Sequence, residues 1–293
     1  MKKVKDPIPV YDICTIDQRS GKDLLVERFG LYLEKHYRDL HPPHRHSFYH
    51  MVLFTGGGGK HTIDFEQFKV KPFQIYFMIP GQVHSWHFEK AVDGYIVHFK
   101  EELFTSFLLN GHFLDRYSFF SGNSKDGVCQ LPLHVHDQVI SIFESILKEV
   151  SNKESQGLEM ISLKLLELFI IVDRSCYRQK ARTIPLQKLQ VLKSFQHLIE
   201  KYYKTIRLPG EYAGLLYITP NHLNALCQDL LGKTAGELIR ERVILEAKRL
   251  LTNAGMNVTE IASELNFQDN SYFNRFFKKY TGQTPDVFRR SFI

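Results

Sequence analysis

Near its C-terminus the chain reads IASELNFQDNSYFNRFFKKYTGQT, residues 261–284. The segment predicts a short apolar helix, a turn, and a second helix whose apolar residues recur at i, i+3, i+4 and i+7. The residues of that stripe are Phe273, Phe276, Phe277 and Tyr280. Gly282 follows at a position that suits the left-handed end of a helix. Two helices joined by such a turn are typical of a helix-turn-helix unit.

An earlier segment repeats this arrangement. It reads YAGLLYITPNHLNALCQDLLGKT, residues 212–234, and it ends in the same Gly-x-Thr pattern at Gly232. The apolar stripe of its second helix consists of Leu223, Leu226, Cys227 and Leu230. The later copy has one additional residue in its turn. The repetition predicts two helix-turn-helix units in the last third of the chain.

Residues at the helix ends support these boundaries. The candidate N-caps are Thr219, Asn257 and Asp269. Glu260 follows Asn257 by three residues, which predicts a capping box. Pro209 fits the first turn of a helix, and Asn266 lies in the second turn, where asparagine tolerates a left-handed backbone.

The outward faces of the two second helices carry amides, hydroxyl groups and cations. Such groups hydrogen-bond base edges and hold phosphates. In the first unit the outward residues are Asn221, His222, Asn224, Ala225 and Gln228. In the second unit they are Asn270, Ser271, Asn274, Arg275, Lys278 and Lys279. One such helix is compatible with a solvated surface, but its repetition in a basic segment favours DNA binding.

The net charge of +6 is concentrated in the same part of the chain. Residues 1–180 carry 22 basic and 22 acidic side chains, whereas residues 181–293 carry 16 basic and 10 acidic ones. Histidine is distributed the other way, since 12 of the 14 histidines precede residue 181. The basic excess is compatible with a solvated face, but it also suits a polyanionic partner, here double-stranded DNA.

The segment IASELNFQDNSYFNRFFKKYTGQTPDVFRR strongly resembles the AraC-type transcriptional regulators. The resemblance implies a seven-helix domain in which a long helix, roughly residues 235–252, joins two units that enter successive major grooves. The residues that match base-facing positions are Asn221, Asn224, Ala225, Gln228, Asn270, Ser271, Asn274 and Arg275. Lys278 is expected to hold a phosphate. Ala225 stands where an arginine is common, which weakens the expected base readout by the first unit, and Asn266 replaces the usual turn glycine.

The first part of the chain has a different pattern. Residues 48–100 contain short runs rich in aromatic and β-branched residues, separated by glycine and proline breaks. This pattern predicts short antiparallel strands in a sandwich or barrel. The stretch from PHRHSFYH to PGQVHSW looks like the cupin sensor domain of many AraC-type proteins, although Phe73 replaces a common glycine. The resemblance implies a barrel that binds a small-molecule effector.

The segment HPPHRHSFYH, residues 41–50, and His84 supply the candidate effector site. If one strand already runs at His44, then His44, His46 and His50 share a face. His84 lies where cupin enzymes place a further metal ligand. Three interpretations stay open: a polar pocket for an organic effector, a site for Zn²⁺, Ni²⁺ or Fe²⁺, or structural histidines. Because metal-binding cupins usually carry a carboxylate or amide at the position of His50, we expect an effector pocket without a cofactor.

Between these parts the pattern becomes helical, and the chain as a whole is predicted to be α+β. One apolar stripe consists of Val139, Ile142, Phe143, Ile146 and Leu147, and another of Ile161, Leu165, Leu168 and Val172. The stripes suit packing within the chain or at a dimer seam, and the resemblance implies a homodimer. We predict a cupin-like sensing domain at residues 1–132, a helical dimerisation and linker region at 133–184, and a DNA-binding domain at 185–293. The polar residues 178–185 are predicted to be a linker.

Other features bear on location and on function class. The chain has no apolar run of about 18 residues and no secretory signal, so no membrane partner is expected. The four cysteines, Cys14, Cys129, Cys176 and Cys227, lack CxxC spacing, which predicts free thiols in a reducing cytoplasm. No nucleophile motif, phosphate loop or spaced carboxylate pair indicates catalysis. We therefore expect a regulator, and the alternative is a metal-dependent cupin enzyme fused to a DNA-binding domain.

Overall fold

The structure, a computed structural model, describes residues 8–16, 23–108, 113–152, 155–177, 185–252 and 255–292. The chain forms two compact units, one made of residues 9–183 and the other containing residues 184–293. The predicted linker at residues 178–185 falls almost entirely outside the described residues. Within the described ranges, no helix is both long and apolar enough to cross a membrane.

The N-terminal unit is built on two five-stranded sheets. The first contains, in spatial order, β1 (Val10–Tyr11), β3 (His44–His46), β8 (Val83–Phe88), β5 (Gly59–Ile63) and β6 (Glu66–Lys69). The second contains β10 (Val128–Gln130), β7 (Gln74–Met78), β4 (Tyr49–Gly56), β9 (Asp93–Phe99) and β2 (Leu24–Arg28). Neighbouring strands pair antiparallel, except β1 with β3. The predicted antiparallel, sheet-rich N-terminal domain is confirmed.

Alternation along the strands divides the apolar side chains between two cores. Val52 and Phe54 of β4 belong to a buried cluster that also contains Ile63 and Trp86 of the first sheet. Met51, on the opposite face of β4, belongs to the second cluster. The first cluster fills the interior between the sheets and surrounds the histidines described below.

The helices of this unit are α1 (Ile13–Ile16), α2 (Phe29–Leu40), α3 (Glu102–Leu108), α4 (His136–Asn152) and α5 (Gly157–Val172). The buried residues of α1 and α2 belong to the interior cluster, whereas α3, α4 and α5 cover the outer face of the second sheet. The predicted apolar stripes of α4 and α5 lie in the second buried cluster, with Leu147 partly buried against it. These stripes therefore pack within the chain, and a dimer seam would need another face of the helices.

The segment from His44 to His50 is not a single strand. β3 belongs to the first sheet and β4 to the second, and Ser47 and Phe48 lie between them. Phe48 is buried in the interior cluster. The prediction of one continuous strand through His44, His46 and His50 is wrong, because the chain crosses from one sheet to the other here. The three histidines nevertheless point into the same interior.

Two of the four cysteines are paired. Cys129 of β10 forms a disulfide with Cys176, which lies in the π-helical turn Asp173–Tyr177 after α5, and their Cα atoms are 6.3 Å apart. Cys14 and Cys227 are free. The prediction of four free thiols is wrong, because tertiary packing joins two cysteines that are 47 residues apart in sequence and carry no spacing motif.

The C-terminal unit is helical. Its helices are α6 (Leu186–Tyr202), α7 (Pro209–Leu215), α8 (Pro220–Leu231), α9 (Ala235–Leu251), α10 (Val258–Glu264), α11 (Asn270–Thr281) and α12 (Pro285–Phe292). These are seven helices within the described part of the unit, as the resemblance implied. The helix pairs α7–α8 and α10–α11 form the two helix-turn-helix units, and α9 joins them.

The predicted helix ends are confirmed. Asn257 Oδ1 accepts a hydrogen bond from the backbone N–H of Glu260 at 2.9 Å, and the Glu260 carboxylate accepts one from the N–H of Asn257 at 2.7 Å. The side chains of Thr219 and Asp269 cap α8 and α11 by accepting a hydrogen bond from the backbone N–H of His222 and of Tyr272. The residues with the expected left-handed backbone are Gly232, Gly282 and Asn266, with φ of 67°, 81° and 55°.

Candidate DNA-binding surface and effector site

Helix α11 presents a polar, basic face to solvent. Phe273 and Phe277 are fully buried and fix the inner face of the helix, whereas Ser271, Arg275 and Lys278 are exposed. Among the described residues, Arg275 and Lys278 form no ion pair and no hydrogen bond. Their charges are therefore available to a partner.

The amides of α11 are held by local hydrogen bonds. Asn274 Nδ2 donates to the backbone oxygen of Asn270 at 2.8 Å and to its Oδ1 at 3.0 Å. Asn270 Nδ2 donates to the hydroxyl of Thr259 on α10 at 3.2 Å. These bonds orient both amides at the N-terminal end of α11 and leave Asn274 Oδ1 as an acceptor for an incoming donor.

Helix α8 has a neutral outward face. Asn221, Ala225 and Gln228 are exposed as predicted, and the helix contains no lysine or arginine. Its single acidic residue, Asp229, forms an ion pair with Lys188 on α6, with 2.7 Å between Oδ2 and Nζ. The first unit therefore lacks on this face the cations that the second unit carries.

Asn224 differs from the other predicted residues of α8. Its side chain is half-buried, and Oδ1 accepts a hydrogen bond at 3.0 Å from the backbone N–H of Ala235, the first residue of α9. The first N–H groups of a helix have no partner within the helix. Asn224 thus supports the start of the connecting helix, and its carbonyl is already engaged.

The sequence interpretation missed Tyr217, in the turn of the first unit. This residue is 96% exposed and has a φ of 56°, like the 55° of Asn266 at the equivalent place of the second unit. A left-handed backbone costs a residue with a bulky side chain about 1–2 kcal/mol, so the flanking helices impose the turn. Aligning the two copies places Tyr217 opposite Asn266 and would have indicated it.

The interior between the two sheets holds a cluster of six histidines. They are His44 and His46 on β3, His50 on β4, His61 on β5, His84 on β8 and His98 on β9, and none is more than 3% exposed. The structure brings the four predicted histidines together. The sequence interpretation missed His61 and His98, although both alternate with inward-facing isoleucines, Ile63 and Ile96, on their strands.

The six rings contact one another closely. The separations between ring nitrogens are 2.8 Å for His46 Nε2 to His84 Nε2, 3.1 Å for His61 Nε2 to His84 Nδ1 and 2.9 Å for His50 Nδ1 to His98 Nε2. His44 Nδ1 lies 2.8 Å from the carbonyl oxygen of Pro42. Nitrogen ligand atoms of His44, His46 and His84 all lie within 4.8 Å of one another.

Burial keeps these imidazoles neutral. Burial lowers the pKa of His44 to about 4. It also lowers the pKa of His61 to about 3, with a smaller contribution from the nearby His44. The pKa values of the other four lie well below the ordinary value of 6.5, mainly through burial and secondarily through neighbouring histidines. Neutral imidazole is the form that ligates metal ions.

Several ring nitrogens of the cluster are buried without a hydrogen-bond partner. Within the described structure these are His44 Nε2, His46 Nδ1, His50 Nε2, His61 Nδ1 and His98 Nδ1. Such atoms are rare in folded proteins, and here five of them are concentrated in one interior. The cluster can offer nitrogen lone pairs to a metal ion, or hydrogen bonds to a polar ligand.

A unit with two helix-turn-helix motifs, together with a sheet unit that encloses a polar site, defines a transcription regulator with a ligand-binding domain. Residues 212–291 match the family described as a helix-turn-helix domain, and residues 30–169 match the AraC-like ligand binding domain. The chain belongs to the AraC-type transcriptional regulators.

The chain is similar to several known proteins over part or most of its length. The HTH-type transcriptional activator RhaR of Yersinia pestis is 21% identical over 276 residues, which cover 92% of both chains. The fatty-acid-bound ToxT of Vibrio cholerae is 14% identical over 92% of this chain and 96% of its own, with a TM-score of 0.44. The C-terminal domain of AraT from Geobacillus stearothermophilus is 23% identical over 34% of this chain and 84% of its own, with a TM-score of 0.32. The expectation of a regulator rather than an enzyme agrees with the named transcriptional activators.

Proposed function

We propose that this chain binds specific DNA sequences through α8 and α11, and that a small effector bound in the N-terminal unit modulates this binding in the cytoplasm. The proposed DNA-contacting residues are Asn221, Asn224, Ala225, Gln228, Asn270, Ser271, Asn274, Arg275 and Lys278. The observation that carries the proposal is the pair of exposed, unpartnered cations on α11, Arg275 and Lys278.

The two helices would contribute unequally. Because α8 has no cation on its outward face, it would supply mainly hydrogen bonds and close packing against the groove. Because α11 carries Arg275 and Lys278, it would supply most of the electrostatic attraction to phosphates. The exposed Tyr217 extends the surface of the first unit at its turn.

The test uses the full-length chain and a duplex that it selects from a random library. We expect binding that weakens steeply with salt, because lysine and arginine release counterions from phosphates. Replacing Arg275 and Lys278 together by alanine should reduce both the affinity and the salt slope. The matched control is Lys148→Ala, which removes an exposed cation from α4 of the N-terminal unit. A folded chain without salt-dependent DNA binding would contradict the proposal.

The proposed effector site is the buried histidine cluster, with His44, His46, His50 and His84 as the contacting residues. Support comes from its enclosure between the sheets and from the unpartnered ring nitrogens. A polar or ionic effector would satisfy these nitrogens and so would stabilise the N-terminal unit when bound.

We further propose that the chain forms a homodimer through the outer face of α5, within the predicted dimerisation region at residues 133–184. Met160, Leu163 and Ile170 recur along this face and are 43%, 49% and 40% exposed. Exposed apolar side chains in a row are typical of an interaction surface. A dimer would present four helix-turn-helix units to repeated DNA half-sites.

A further inference from the structure

We propose that the buried histidine cluster binds one divalent transition-metal ion of the zinc and nickel type, and that this ion is the effector. The second half of this proposal rests on the proposed function, whereas metal binding itself does not. The ligands would be His44, His46, His50 and His84, and His61 and His98 would position two of them.

The first support is the orientation of the rings. A metal-ligating histidine usually donates the N–H of its other nitrogen to a fixed acceptor. With the ring proton on Nδ1, His44 donates to the carbonyl oxygen of Pro42 at 2.8 Å. The same tautomer leaves its Nε2, which is buried and unpartnered, free to bind a metal.

The second support is that two further ligands are oriented in the same way by other histidines. His84 Nδ1 lies 3.1 Å from His61 Nε2, and His50 Nδ1 lies 2.9 Å from His98 Nε2. If His61 and His98 accept these protons, Nε2 of His50 carries a free lone pair, and Nε2 of His84 carries one that faces His46 Nε2 at 2.8 Å. An ion would replace this contact once the ring proton of His46 moves to its Nδ1. His61 and His98 would therefore fix the tautomer and direction of ligands without touching the ion.

The third support is distance. Ligand nitrogens at about 2.0–2.1 Å around a tetrahedral zinc ion lie about 3.3 Å from one another. His46 Nε2 and His84 Nε2 are 2.8 Å apart, and a ligand atom of His44 lies within 4.8 Å of both. Small rotations of buried rings would bring these three nitrogens to one ion, and the ring of His50 lies only 5.0 Å from that of His84.

The class of ion follows from the donors. The proposed ligand set contains imidazole nitrogen and neither thiolate nor carboxylate. Imidazole suits zinc, nickel, copper and iron, whereas magnesium and calcium prefer oxygen ligands. Burial favours the neutral, ligating form of each ring. An organic effector would need space among rings that already contact one another at hydrogen-bond distance.

The first experiment measures metal binding by the untagged full-length chain after removal of metal with a chelator. Calorimetric titration with ZnCl₂ and with NiCl₂ should give one ion per chain with micromolar or tighter affinity, whereas MgCl₂ and CaCl₂ should show no binding. X-ray absorption of the zinc-loaded chain should show a first shell of nitrogen with imidazole scattering. Less than one ion per chain, or a first shell with sulfur, would overturn the site.

Variants test the assigned residues. His46→Gln with His84→Gln should weaken zinc binding by about 100-fold or more. The matched control is His87→Gln, an exposed histidine on the same strand, β8, which should leave the affinity unchanged. Zinc affinity unaffected by the double substitution would overturn the site. If the double variant fails to fold, the X-ray absorption result on the unmodified chain decides.

The positioning role of His61 and His98 has its own readout. His61→Gln and His98→Gln should each weaken Co²⁺ binding by about 10–100-fold, while one ion still binds and its visible spectrum keeps the intensity of a tetrahedral nitrogen site. A purely structural role would lower the melting temperature of the metal-free chain without changing the Co²⁺ affinity. That result would overturn the positioning assignment.

The final experiment tests whether metal binding changes the affinity of the chain for DNA. Affinity for the selected duplex is measured with zinc-loaded chain and with chelator-treated chain, and we expect a change of at least about 10-fold. Equal DNA affinity in both states, with zinc bound, would overturn the role as effector. DNA binding absent in both states would instead contradict the proposed function, and the metal site would still be judged by calorimetry.

Discussion

Arg275 and Lys278 lie on the same exposed face of α11, yet their side chains suit different parts of DNA. The arginine fork can bond two acceptors on one guanine edge, whereas lysine acts as a point charge toward phosphate. Arg275→Ala should therefore cost about 1–3 kcal/mol on the selected duplex and less on random DNA. Lys278→Ala should weaken binding to both duplexes about equally, as fluorescence anisotropy titrations would measure.

Arg275→Lys is the informative control for that comparison. It keeps the charge but removes the fork, so we expect affinity for random DNA to be retained and preference for the selected duplex to fall. Equal losses on selected and random DNA for Arg275→Ala would show that this side chain does not read a base.

Asn224 is expected to matter for stability as well as for DNA. Its hydrogen bond to the N–H of Ala235 supports the first turn of α9. Removing the side-chain partner of a helix N-terminus costs about 1 kcal/mol. Asn224→Ala should lower the free energy of unfolding of the C-terminal unit by about that amount in chemical denaturation. Asn221→Ala, at an exposed position of the same helix, should leave it within about 0.5 kcal/mol.

Residue-level prediction worked where the cause is local. The capping box of Asn257 and the left-handed glycines depend on a few adjacent residues, so the sequence was sufficient. Asn224 bonds a residue 11 positions away, and the histidine ring contacts join four different strands. These pairings depend on tertiary packing and strand order, which a local pattern does not specify.

At the scale of the element, the two faces of α5 have different roles. Its buried stripe packs on the sheet, and its outer face carries the exposed Leu163 and Ile170. Leu163→Glu with Ile170→Glu should convert a dimer to a monomer in analytical ultracentrifugation, because charged groups would be buried at the seam. Ser141→Glu, on the exposed face of α4, should leave the dimer intact. A wild-type chain that sediments as a monomer at tens of micromolar, a concentration that would reveal a micromolar dimer, would contradict the interface.

The disulfide between Cys129 and Cys176 links β10 to the end of α5. Closing a loop of this length is typically worth about 2–4 kcal/mol. Cys176→Ser should therefore lower the melting temperature of the N-terminal unit under oxidising conditions and have little effect when a reductant is present. Cys14→Ser, at a free cysteine, should be neutral in both. A loss equal in both conditions would show that packing, rather than the bond, is responsible.

Elements were predictable where their periodicity is strong. The stripes of α4, α5, α8 and α11 repeat every three to four residues, and all four helices form. The change of sheet between His46 and Tyr49 was not predictable, because a strand continuing past His46 would show the same alternation of buried residues. Phe48, which lies between the two strands, is buried in the interior cluster.

At the scale of the whole molecule, the two units differ in how acid should affect them. The N-terminal unit buries six histidines, whereas the C-terminal unit contains only His197 and the exposed His222. A histidine that is neutral when folded and protonated when unfolded contributes stability above pH 6.5, and this contribution is lost as the pH falls toward its folded pKa. The pKa of His44 is about 4 and that of His61 about 3, so the loss extends from pH 6.5 to about pH 3–4.

We therefore expect the N-terminal unit to unfold first on acidification of the metal-free chain. Each such histidine removes about 1.4 kcal/mol per pH unit between 6.5 and its folded pKa, so the cluster as a whole can offset the 5–15 kcal/mol stability of a typical domain. The single tryptophan, Trp86, is 2% exposed and its ring lies 5.1 Å from that of His84. Its fluorescence therefore reports the N-terminal unit alone, and it should change at a higher pH than the remaining helical circular dichroism.

His61→Phe should move the fluorescence transition to lower pH, whereas His87→Gln should not. A single coincident transition, or unchanged Trp86 fluorescence down to pH 4, would contradict the prediction.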